Sequence, residues 1–188
     1  MTLVTLILAA ALGTGAHPTP KVVLVKHADF IRQSLTGATQ YFVRTVSIGK
    51  EDLAAIRKAS DFTPADPDVQ FYLGQSQDGK SVGSTLFQQV DTPHGPLEVG
   101  LAFGPDGAIT RADVTTATVE TKPWVQEATG AGLMKRFVGL RPGDDPRKAL
   151  EGMKGQLSGM PEYMAELIAT AVGRGQVLYQ TLYKGSAT

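Results

Sequence analysis

The sequence predicts an α+β domain built on an antiparallel β-meander flanked by helices. Two Asp-Gly turns, QDGK at residues 77–80 and GPDG at 104–107, each separate two strand-like runs in the middle of the chain; Asp-Gly favours the left-handed backbone that tight hairpins need. Apolar residues recur at helical spacing before and after this region, the mark of helices packed on a sheet. At 188 residues the chain suits one core rather than two.

The elements follow in order. KVVLVK at residues 21–26 is a β-branched run and reads as a strand or an extended arm. HADFIRQSLTG places Phe30, Ile31 and Leu35 at helical spacing, with Gly37 where a left-handed cap would stop the helix. TQYFVRTVSI reads as a strand, and GKEDLAAIRKAS as a helix whose buried stripe runs through Leu53, Ile56 and Ala59. Four antiparallel strands are then expected over residues 68–119, and Leu97, Val99, Leu101 and Phe103 alternate with Glu98, Gly100 and Ala102 as for a sheet with one buried face. Beyond Glu120 the chain turns helical through LMKRFVGL and DDPRKALEGM, where Asp145-Pro146 supplies a cap and first-turn pair. A last helix begins near Pro161 with Tyr163, Met164, Leu167, Ile168 and Ala171 on one stripe; Gly173 and Gly175 are expected to end it, leaving QVLYQTLYK as a terminal strand or a resumed helix.

Composition narrows the chemistry. Eighteen basic and 18 acidic residues balance without a basic cluster, so nucleic acid is not an expected partner. The absence of cysteine excludes disulfides, iron–sulfur clusters and the C-x-x-C-H attachment of c-type haem. His17, His27 and His94 are scattered, with no spacing that puts two on one helix face, and read as surface or capping residues. Neither G-x-S-x-G nor a nucleophile–His–carboxylate spacing suggests a hydrolase. The apolar run from Leu3 to Leu12, followed by Thr14-Gly-Ala16 and prolines, divides the chain into residues 1–16, a signal peptide or N-terminal anchor, and a single domain over residues 17–188. An extracytoplasmic, periplasmic location is expected, with membrane association through the N-terminus if the segment stays attached.

The order of parts, with VETKP after the fourth meander strand, LMKRFVGL, and Ser158-Gly159 before the final helix, resembles the exported FMN-binding domain family. That family includes the G subunit of Rnf electron-transport complexes and the C subunit of sodium-pumping NADH:quinone reductases. The resemblance covers roughly residues 21–184 and implies an association with electron transfer, with redox proteins or a membrane electron-transfer complex as partners. Family members carry S-G-A-T-x-T-S at the start of the last helix, where a threonine is esterified to the FMN phosphate. Here LSGMPEYM stands in its place: Pro161 has no hydroxyl to esterify and no N–H to donate, and Glu162 adds a negative charge. Covalent FMN is therefore not expected at this position. SLTGAT at residues 34–39 resembles the acceptor signal, but Thr39 follows a helix C-terminus, whose dipole disfavours a phosphate.

Two functions follow from the resemblance. In one, FMN binds non-covalently in a pocket of Glu120, Thr121, Trp124, Ser158, Gly159 and Tyr163, with Trp124 available to stack on the flavin ring. In the other, the domain is a cofactor-free structural or docking subunit of a membrane-bound electron-transfer complex. Neither gives the chain a reaction of its own.

Overall fold

The computed structural model describes residues 19–184; the expected N-terminal signal or anchor lies outside them. The elements are β1 (Lys21–Val23), α1 (His27–Ser34), β2 (Gln40–Ser47), α2 (Lys50–Ala59), β3 (Asp68–Gln75), β4 (Ser81–Val90), β5 (Leu97–Phe103), β6 (Ile109–Thr118), α3 (Lys122–Gly130), α4 (Leu133–Arg136), α5 (Lys148–Glu151) and α6 (Met160–Leu178). A π-helical segment, Tyr179–Lys184, continues α6. No helix among the described residues is long and apolar enough to cross a membrane.

The predicted α+β class and the meander are present, and the sheet is wider than four strands. All six strands form one antiparallel sheet in the order β1-β6-β5-β4-β3-β2, so the early strands extend the meander at both margins. The Asp-Gly turns close β3–β4 and β5–β6. In the second turn, Asp106 takes the Ala108 N–H at 3.1 Å and the Arg141 guanidinium at 2.7 Å, and these hold its carboxyl below the usual range.

β5 differs from the expected one-faced strand. Leu97, Val99, Leu101 and Phe103 face the core, but Gly100 and Ala102 on the opposite side are buried as well. The cause is α1, whose Phe30 lies against that face: a Cβ on Gly100 would come within 3.0 Å of the Phe30 ring. Small residues at 100 and 102 thus mark a second covered face.

The main core lies between the other face of the sheet and α6, with Leu86, Leu101, Met164, Ile168, Ala171 and Val172 fully buried. Gly173 and Gly175 do not end α6. The helix runs through both to Leu178, because packing on β4 and β5 outweighs their poor helix propensity. The C-terminal run is therefore helical. Tyr163 is on the margin of the stripe and 36% exposed, and Ala59 of α2 faces outward, leaving Ile56 as that helix's one buried residue. Gly37 has φ +88° and follows α1 as the sequence predicts.

Candidate functional site

The predicted pocket residues fall into two groups, at the exit of β6 and at the entry of α6. At the first, Thr118 and Thr121 form a reciprocal clasp. The Thr118 N–H donates to Thr121 Oγ1 at 3.0 Å and the Thr121 N–H to Thr118 Oγ1 at 3.1 Å, while Thr118 Oγ1 donates to the His94 carbonyl at 3.0 Å. Both threonines are buried, so the Thr121 hydroxyl serves the turn into α3. Glu120 reaches outward and pairs with His94 Nδ1 at 2.7 Å. The His94 ring stands edge-on to half-buried Trp124, with centroids 5.1 Å apart. The two rings thus stand roughly perpendicular, within contact distance of one another.

At the second group, Gly159 has φ +63° and ψ −129°, a conformation suited to glycine, and no side chain caps α6. Ser158 is exposed, Pro161 is buried in the first turn, and the Tyr163 N–H donates to the Gly159 carbonyl at 3.0 Å. Beside this turn, α5 and α6 enclose a cavity of about 570 Å³. Its apolar wall includes Leu150, Met153 and Leu157, and Tyr163 stands at its side. Its charged lining is Arg147 and Lys154 against Glu151, Glu162 and Glu166. Of the predicted site residues, this cavity takes in Tyr163 alone.

Thr39 sits beyond α1, where its N–H donates to the Gln75 carbonyl at 2.8 Å and its hydroxyl turns to the same oxygen at 3.4 Å. Its role is to start the β2–β3 ladder.

A further cavity was not foreseen. β3 and β4 pair only from Tyr72–Thr85 to Gln75–Ser81; beyond Tyr72 the ladder stops and the sheet forks. A space of about 460 Å³ occupies the fork, lined by Gln70, Phe87, Gln88, Asp68, Asp91 and Arg174 among others. At its rim, His27 stacks on Phe87 with centroids 3.8 Å apart and bonds Glu98 at 2.6 Å, and the same Glu98 oxygen takes the Thr115 hydroxyl at 2.6 Å. The glutamines at 70, 88 and 89, set beside the aromatic residues Phe71, Tyr72 and Phe87, were the sequence signal for it. Among the described residues, no group of three or more His, Asp or Glu side chains is placed to hold a metal ion.

No family model, curated protein or solved structure matches the chain.

The α6 entry fits FMN poorly. A helix start welcomes a phosphate through free N–H groups and its dipole, yet Pro161 removes one donor and three carboxylates outnumber two cations around the adjoining cavity. The apolar wall suits a flavin ring; the charged lining does not suit its phosphate.

Proposed function

We propose that the protein is an exported, FMN-binding-domain-like component associated with electron transfer that works without covalent FMN, as a structural or docking subunit of a membrane-bound electron-transfer complex. The observation that carries this reading is the α6 entry, where Pro161, Glu162 and the neighbouring Glu151 and Glu166 stand in place of an anion site. The resemblance supplies the setting, and the Thr121 hydroxyl, already engaged within the turn, points the same way. Migration of the native protein with a membrane redox complex in a mild detergent extract is the expected result. Migration alone would remove the docking role.

Non-covalent FMN is the second reading, favoured by the volume of the α5–α6 cavity and by the exposed Tyr163 ring at its side. Titration of the full chain with FMN, followed by flavin fluorescence, distinguishes the two. No saturable quenching is expected; quenching that Tyr163→Ala weakens would establish the flavin site in this cavity.

A further inference from the structure

We infer that β2 is a self-association edge, through which two copies of the chain join their sheets antiparallel about a two-fold axis at Val43. β2 ends the sheet and, among the described residues, no strand lies on its outer side. Its side chains Tyr41, Phe42 and Val43 are 46%, 44% and 58% exposed, an apolar run on an eight-residue edge. Such an edge is a template for another strand unless it is short, charged or covered. The opposite margin is defended in this way: β1 has three residues, with Lys21 within it and Lys26 close behind.

The hydrogen-bond parity of β2 can be read directly. Ile48 donates to the Pro67 carbonyl at 2.7 Å and stands opposite Pro67 when the Ser47–Asp68 register is continued. Since inward and outward groups alternate along an antiparallel strand, the even-numbered residues bond to β3. Tyr41, Val43, Thr45 and Ser47 therefore turn their N–H and C=O groups to the free edge.

That parity and the charge pattern select the partner's register. A two-fold centred on Arg44 would oppose two guanidinium groups, which is unfavourable for directly facing residues. Centring on Val43 pairs it with its own copy, sets Tyr41 opposite Thr45, and sets Phe42 opposite Arg44 of the second copy, so that no two like charges face each other. On the α1 side, the open groove of about 270 Å³ lined by Ala28, Ile31, Tyr41, Val43 and Tyr72 lies beside the joined strands. Because β1 is too short and too basic to accept β2, the assembly closes at two copies.

The inference is independent of the flavin question. Light scattering of the purified chain is expected to give twice the chain mass, and Val43→Pro, which deletes an outward N–H and leaves the β2–β3 bonds intact, is expected to halve it. A chain that stays monomeric up to about 0.1 mM would overturn the proposal. A second readout does not depend on the proline variant folding. In this cysteine-free chain, Val43→Cys is expected to cross-link under mild oxidation, since facing Cα atoms are about 5.5 Å apart. Thr45→Cys, whose copies would lie about four residues apart, is expected not to. Equal cross-linking of both, or of neither, would exclude this register.

Discussion

Gly175 of α6 and Leu101 of β5 meet so closely that a methyl group on the glycine would lie 2.2 Å from Leu101 Cδ1. Leu101 is fully buried and Leu86 Cδ1 waits 3.4 Å from the same point, so the leucine has little room to retreat. Gly175→Ala is expected to destabilise the fold by about 1–3 kcal/mol of overpacking, reduced by up to about 1 kcal/mol of helix propensity.

Gly173, two residues earlier, provides the opposite case. Its added methyl would meet only the Pro146 ring, at 3.7 Å. Gly173→Ala is expected to stabilise by up to about 1 kcal/mol, and thermal melting of the two variants side by side measures the difference.

The threonine clasp gives a third expectation. Thr121→Val leaves the buried Thr118 N–H without its acceptor and is expected to cost about 1–3 kcal/mol in denaturant unfolding. Glu120→Gln, one residue away, breaks a half-exposed pair with His94 and is expected to cost under about 0.5 kcal/mol. Equal losses would contradict the division between a buried clasp and a surface pair.

Gly159→Ala tests the turn into α6. Open space surrounds the site, so the cost is purely that of holding φ +63° with a side chain, about 1–3 kcal/mol. Ser158→Ala, in the exposed neighbour, is expected to change little.

Alkaline stability turns on Tyr179, stacked between Phe103 and Tyr183 with centroids 4.1 and 5.0 Å away. Burial, with smaller contributions from Tyr183 and Asp106, pushes its hydroxyl up to about 12 from 10.0. The folded state thus keeps a proton that the unfolded chain gives up, and its contribution is full below pH 10 and lost as the pH rises towards 12. Relative to Tyr179→Phe, the wild type is expected to lose about 1 kcal/mol per pH unit across that window. Parallel curves for the two proteins would contradict this.

What was legible in the sequence was local. The Asp-Gly turns fix their hairpins through two residues each, and the spacing of Phe30 and Leu35 fixes α1. Gly175 was not legible, because the same residue type ends helices and permits close packing, and only the position of Leu101 separates the two. Tyr163 fits the spacing of the buried stripe by count, yet the face through Met164, Ile168, Ala171 and Val172 rotates it to the margin. By sequence the hydroxyl of Thr121 reads as a ligand group, but its partner is a main-chain N–H three residues back, set by a tertiary turn. The fork between β3 and β4 depends on strands that fail to pair, which no propensity records.

That fork divides the molecule mechanically. The β2–β3 arm pairs with β4 at four residue pairs and touches it through Tyr72 on Phe87, and it rests on the C-terminal segment through Phe71 and Arg44 on Tyr183, whereas β4, β5 and β6 are laddered along nearly their whole length. The arm is accordingly expected to open as its own cooperative unit, at a free energy below that of global unfolding. Amide protons bridging β3 and β4 should exchange through this partial opening while those of β5 wait for the whole domain to unfold, so the protein breathes along a seam inside its sheet.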